Sequence, residues 1–253
     1  AQMFKAAEAT MMREHPAEVD EARALADKLV DPLTASADEI WPVLWDKPLY
    51  AYTRVKIADG YVEKLTPFAA GATWRHWGDP ERPFVICTGR ANLNTSFKIT
   101  EHAPTGLDAL SIARGRIYAV GGAARALQKW STRSVAPLAP FLAMDSANLL
   151  KTMRDDLGLR WGHITIMHFL TDMGLFCKPD RWLVRSAHAL GIADGCKRDR
   201  DVPTRKEAIL IDRAVKQLVR DVYGELTGKR LRYVDKILMD ASRLGVLGAG
   251  QEG

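Results

Sequence analysis

The sequence predicts a mostly α protein of helix-bundle type with little sheet. Three observations carry this. Apolar residues recur at spacings of three and four through most of the chain, the period of a helix face buried on a core. Cap and stop residues punctuate those runs at helix-like intervals. One short run alone, Phe84-Val85-Ile86-Cys87, reads as a strand, ended by Gly89.

In chain order, residues 17–30 predict a polar-faced helix stopped by Asp31-Pro32. Ser36 or Asp38 caps a short helix through Ile40 and Leu44, with Pro42 inside its first turn. Residues 50–100 are the least regular part, with Gly71, Gly78, Pro80 and Pro83 around Trp74 and Trp77. From residue 108, Leu110, Ala113, Ile117, Val120, Ala124 and Leu127 form one apolar stripe, in which Gly121-Gly122 either weakens the helix or permits close packing. After a Pro-bearing stretch from Val135 to Phe141, Asp145 or Ser146 caps a helix carrying Leu149, Leu150 and Met153. The turn from Leu157 to Gly162 leads into a helix from His163 to Met173, closed by Gly174. Asp180 opens the next helix, which ends at Gly191. Two more follow, one with Ile211, Val215, Leu218 and Val222, the other with Leu231, Val234, Leu238 and Ala241.

At 253 residues the chain has room for one large domain or two small ones, and a sizeable core. We expect an N-terminal helical and irregular region over 1–145 that helps shape a pocket, and a helical region over 146–253. A composition of 47% hydrophobic and 26% charged residues excludes disorder and collagen-like repeats. No apolar run approaches the ~20 residues of a membrane span, so no membrane partner is expected. The charged N-terminus does not read as a signal peptide. Cys87, Cys177 and Cys196 are widely spaced, which points to a reducing, intracellular compartment and to no cysteine-bound metal or iron–sulfur cofactor.

The net charge of +5 is unevenly spread. Residues 1–50 hold 5 bases and 10 acids, residues 51–150 hold 12 and 7, and residues 151–253 hold 19 and 14. A basic surface attracts polyanions; a solvated surface of mixed charge is the plainer reading.

The informative stretch is 146–191. A helix entered through a glycine turn presents unpaired N–H groups and a positive dipole end, a ready phosphate site. Those groups belong to residues around Gly162, His163 and Ile164, with Arg160 and His163 adding side-chain donors. An ordinary helix–helix connection needs the glycine as much. Asp180 follows Pro179 at an N-cap position. A cap's carboxylate is held as an anion by backbone donors. If it also faces a cleft, it suits a cationic transition state such as the oxocarbenium-like sugar of N-glycosidic cleavage.

The run GHITIMHFLTDMGLFCKPDRWLVRSAHALG resembles the helix-hairpin-helix DNA glycosylase superfamily: endonuclease III, the adenine and 8-oxoguanine glycosylases, and the alkyladenine glycosylases. In that family a hairpin, a helix and a loop lead to a catalytic aspartate capping the next helix. The resemblance covers about 45 of the 253 residues and places that aspartate at Asp180, with Pro179 and Arg185 fitting the motif around it. It implies a helix-hairpin-helix glycosylase-like fold. Its substrate would be double-stranded DNA with a damaged or modified base, flipped from the stack and released by hydrolysis. It also implies no cofactor, a monomeric chain, and a cytoplasmic, nucleoid-associated or otherwise intracellular location. The expected DNA-contacting residues are Arg160, Trp161, Gly162, His163 and Thr165.

Two departures bear on the reaction. The family's turn is Leu-Pro-Gly-Val-Gly; here the turn Leu157-Gly158-Leu159-Arg160-Trp161-Gly162 is one residue longer. The lysine nucleophile of bifunctional members falls at or near His163, and no lysine lies between Lys151 and Lys178, which implies a monofunctional enzyme. The four-cysteine cluster motif of endonuclease III is also absent.

Other candidates have plainer readings. Trp161 either wedges into DNA or anchors the core. Trp182 packs in the core with Leu183 and Leu190. Trp74-Arg75-His76-Trp77 either stacks on nucleic acid or anchors a loop. Asp172 pairs with His168 on one helix face. Arg198, Arg200, Lys206, Lys229, Arg230 and Arg232 either track phosphates or face solvent. The alternative functions are a non-catalytic nucleic-acid-binding protein and a helical scaffold in which Asp180 is only a cap.

Overall fold

The computed structural model describes residues 1–51, 54–69, 73–77, 85–88, 97–100, 112–197 and 202–247. In chain order its helices are α1 (Gln2–Glu14), α2 (Pro16–Asp27), α3 (Ala37–Leu44), α4 (Lys47–Tyr50), α5 (Val55–Ala69) and α6 (Trp74–Trp77). Two short strands follow, β1 (Val85–Thr88) and β2 (Phe97–Thr100), antiparallel with Val85 opposite Thr100. Then come α7 (Ile112–Ser131), α8 (Ala139–Leu142), α9 (Ser146–Leu157), α10 (His163–Asp172), α11 (Arg181–Ala189), α12 (Arg205–Tyr223) and α13 (Gly228–Arg243). The mostly helical class is as the sequence predicts. Among the described residues no helix is long and apolar enough to cross a membrane.

The chain divides into two compact units: Ala1–Asp31 with Met167–Gly253, and Pro32–Ile166. This differs from the division at 145/146 read from the sequence. The reason is the N-terminal helix pair. Phe4, Ala7 and Met11 of α1 and Val19 and Ala22 of α2 lie in one core with the apolar faces of α11, α12 and α13. α13 is the centre of this first unit, packed on α1, α2, α11 and α12. Its Val234, Ile237, Leu238 and Ala241 are fully buried, at the spacing a single helix face requires. Near its start, Gly228 passes so close to Gly174 that a Cβ on Gly174 would stand 2.8 Å from the Gly228 Cα, so Gly174 needs glycine, and a Cβ on Gly228 would fit tightly, 3.2 Å from the Gly174 carbonyl oxygen. Gly174 also has φ +67°, which favours glycine independently.

In the second unit α7 is the central helix, packed on α3, α4, α6, α9 and β1. Gly122 permits the approach of α9: a Cβ there would lie 2.4 Å from the Leu157 carbonyl oxygen. Three buried tryptophans tie the unit together through their indole N–H groups. Trp41 donates to the Ala69 carbonyl, Trp130 to Asp156, and Trp161 to the Ala119 carbonyl. Each donor is satisfied, which a buried indole requires.

Local signals explain most boundaries. Ser36 caps α3 in a capping box with Glu39. Pro42 sits in the second turn of that helix, not the first as expected. Asp145, rather than Ser146, caps α9, accepting from the N–H groups of Ala147 and Asn148 at 3.0 Å each; those donors hold its carboxyl below its ordinary pKa. The least regular segment expected at 50–100 contains a 15-residue helix, α5, whose signal Gly60 and an internal Pro67 had weakened. Phe84, Gly89 and Leu110 lie outside the described residues.

Candidate active site

Asp180 stands at the N-cap of α11 with extended backbone geometry. Its Oδ1 accepts the N–H groups of Trp182 at 3.0 Å and Leu183 at 3.2 Å. Oδ2 lies 3.9 Å from the ammonium of Lys178, and the Asp180 side chain keeps 23% of its exposure. One oxygen is thus committed to the cap and the other stays open to a partner. The first turns of α11 carry cations. The guanidinium of Arg181 lies 4.6 Å and that of Arg185 5.1 Å from the centre of the Trp182 ring. Trp182 is therefore half-buried under two arginines, not packed in the core as expected.

The loop that delivers Asp180 is clamped from below. The N–H of Cys177 donates to Oδ1 of Asp212 on α12 at 3.0 Å. The N–H of Lys178 donates to Oδ1 of Asp235 on α13 at 2.8 Å. Both carboxylates are buried, and each has a cation. Lys216 reaches Asp212 at 2.7 Å, and Arg232 bridges Asp235 at 3.1 Å and Asp172 at 3.0 Å. Burial pushes the Asp235 carboxyl up to about 6, against the pull of Arg232 and of the Lys178 N–H, while the nearby Asp180 charge pushes the same way as burial. Burial raises Asp212 as well, against Lys216. A buried ion pair rarely adds net stability over an apolar pair of equal volume. What these pairs supply is a fixed backbone over the two residues before Pro179.

The hairpin between α9 and α10 belongs to the second unit. Gly158 closes α9 with φ +80°, and Arg160 has φ +72°, the sole non-glycine with positive φ among the described residues. Arg160 and Gly162 are exposed, and His163 is half-buried. A Cβ on Gly162 would meet nothing within 4 Å. Neither packing nor a positive φ therefore explains that glycine, and its outer side is open to a ligand. Two residues expected on DNA are inside. Trp161 is 1% exposed and bonded to the Ala119 carbonyl, so the core-anchor reading is the one observed. Thr165 is buried on the inner face of α10, where it cannot contact a phosphate. Thr165 turns inward with Ile166 and Phe169 on α10, whereas Trp161, in the turn before that helix, is held inside by the Ala119 carbonyl.

The remaining candidates resolve individually. Asp172 pairs with Arg232. Trp74 and Trp77 are buried, and the Trp74 indole donates to Asp38 at 2.6 Å, which lowers the Asp38 pKa and favours the loop-anchor reading. Arg198 and Arg200 lie outside the described residues. Lys229 and Arg230 are engaged with Asp27 and Glu225. Arg232, expected to track phosphates or face solvent, is instead largely buried between Asp172 and Asp235, and sequence reasoning missed the rest of the cluster around Asp180: Lys178, Arg181, Asp212 and Asp235. The signal was present for two of them, since Asp212 and Asp235 interrupt the apolar stripes of α12 and α13, where a carboxylate needs a buried partner.

No family model, no curated protein and no solved structure matches this chain.

Proposed function

We propose that the chain is a monofunctional DNA glycosylase that hydrolyses the N-glycosidic bond of a damaged or modified base, with Asp180 as the catalytic carboxylate. The observation that carries this reading is the state of Asp180. Backbone donors hold one of its oxygens, the other remains partly open, and Lys178, Arg181 and Arg185 stand beside it on the same loop and helix. A polyanion is attracted by those cations, and an oxocarbenium-like sugar is stabilised by that carboxylate. In the reaction the base leaves with the electron pair of the C1′–N bond and gains a proton. Water, oriented by Asp180, adds its oxygen to C1′ and loses a proton. The base must first leave the stack, because the bond is shielded inside the duplex.

The hairpin supports the same reading. Laid on Gly158 to Gly162, the Leu-Pro-Gly-Val-Gly turn of the glycosylase superfamily puts its first glycine on Arg160, the residue with φ +72°, and its second on Gly162. The residue between them falls on Trp161, which is buried. On this register no residue is inserted. Arg160, Gly162 and His163 are then the DNA-backbone contacts.

Base release from oligonucleotides carrying oxidised, alkylated, deaminated or hypermodified bases, revealed as alkali-labile sites, tests the proposal. Asp180→Asn keeps the cap, since Asn caps as well as Asp, and removes the charge. It should fold normally and release base ~10²–10³-fold more slowly. Near wild-type release would leave Asp180 as a cap only. Borohydride should trap no adduct; an adduct lost in Lys178→Ala would make Lys178 a nucleophile and overturn the monofunctional assignment.

A further inference from the structure

The acids and bases of α12 are sorted by face. Glu207 and Asp212 are buried, the first in the capping box with Thr204, the second under Cys177. Arg205, Lys206, Arg213 and Arg220 are exposed, and Asp221 is the one exposed acid on the helix. Lys206, Arg213 and Arg220 are seven residues apart, so they form one row, about 10.5 Å from each to the next at 1.5 Å per residue. Among the described residues none of these four bases has an ion-pair partner. Elsewhere in the same unit some bases are paired, Arg23 with Asp20 at 3.0 Å, Lys229 with Asp27 at 2.9 Å and the half-buried Arg230 with Glu225 at 2.8 Å, while Lys5, Lys28, Arg181, Arg185 and Lys197 are exposed without an ion pair among the described residues but form no such row on one helix face.

We propose that the outer face of α12 is a docking surface for the phosphate backbone of a nucleic-acid duplex, with Lys206, Arg213 and Arg220 as its contacts. Charge complementarity selects a polyanion, and three of the four bases are arginines, whose planar fork pairs bidentately with phosphate. An anionic membrane fits less well. A helix that lies on lipid inserts an apolar face, and the apolar face of α12, with Ile211, Val215, Leu218 and Val219, is already spent on the core. The choice of a duplex among polyanions rests on the glycosylase reading. The contacts carry no base readout, so this surface would hold any sequence and leave selection to the base pocket.

The test is binding of an unmodified duplex of about two turns, followed by anisotropy from 50 to 300 mM salt. The triple variant Lys206→Gln, Arg213→Gln, Arg220→Gln should lower the salt slope by about three units and weaken binding roughly a hundredfold at 0.15 M. Each single variant should lower the slope by about one, which keeps the test open if the triple variant misfolds. The control Arg23→Gln, Lys229→Gln, Arg230→Gln removes paired bases and should change little. Four results overturn the proposal: no duplex binding by the wild type, an unchanged slope in the variants, an equal loss in the control, or a row-dependent affinity for phosphatidylserine vesicles that exceeds that for DNA. Base release is scored separately. A wild type that releases no base but shows the row-dependent slope sinks the glycosylase reading alone; normal release with an unchanged slope sinks this surface alone.

Discussion

The backbone N–H of Lys178 donates to the carboxylate of Asp235 at 2.8 Å, across 57 positions of sequence, and fixes the loop two residues before Asp180. The acceptor is a buried acid whose pKa is raised to about 6. A carboxyl with a raised folded-state pKa binds its proton more tightly in the fold than in the unfolded chain. Stability at this group is therefore fully present below the unfolded value, near 3.8, and is lost as pH rises through about 6.

Asp235→Asn makes the group permanently neutral and keeps a carbonyl oxygen for the Lys178 N–H. The melting temperature of the variant relative to wild type should rise between pH 5 and pH 7.5, by on the order of 1 kcal/mol or roughly 2–4 °C. Parallel melting curves across that window would show that Asp235 does not titrate there.

Arg160 holds a left-handed backbone with no intramolecular ion pair among the described residues to compensate for it. Arg160→Gly removes that cost and should stabilise the protein by about 1 kcal/mol, less the added freedom of the unfolded chain. The same change removes a proposed phosphate contact, so duplex affinity should fall while the melting temperature rises. A variant that gains stability and keeps its affinity would place the hairpin away from DNA.

Gly121 and Gly122 are neighbours on α7 with opposite requirements. A Cβ at 122 would lie 2.4 Å from the Leu157 carbonyl oxygen, a backbone atom, whereas at 121 its nearest neighbour is the tip of Arg125 at 3.4 Å. Gly122→Ala should destabilise the protein by about 1–3 kcal/mol. Gly121→Ala should be neutral or stabilise it by up to about 1 kcal/mol, the helix-propensity gain. Denaturant melts of the two single variants check this; equal effects would mean that α7 and α9 do not meet at Gly122.

The hairpin shows how far local pattern reaches. Leu157 and Gly158 announce the end of α9, Gly162 the start of α10, and both boundaries fall where the sequence places them. Whether Trp161 faces a ligand or the core was open, because an indole suits either and its partner, the Ala119 carbonyl, lies 42 positions away.

Charge and cap chemistry within a few residues thus determined what the sequence alone settles here: the helical class, most helix ends after residue 112, the cap at Asp180, and the absence of a lysine between Lys151 and Lys178. Helix α1 escaped only because its Phe4, Ala7 and Met11 stripe is short and crossed by charges.

Tertiary structure decided the rest. It joined the N-terminal helix pair to the core of α11, α12 and α13, turned Trp161 and Thr165 inward, and set Asp212 and Asp235 beneath the loop before Asp180. The physical reason is range. A cap or a turn is satisfied by atoms of its own segment, whereas a buried carboxylate or indole must find its partner on another one, and no local pattern states which.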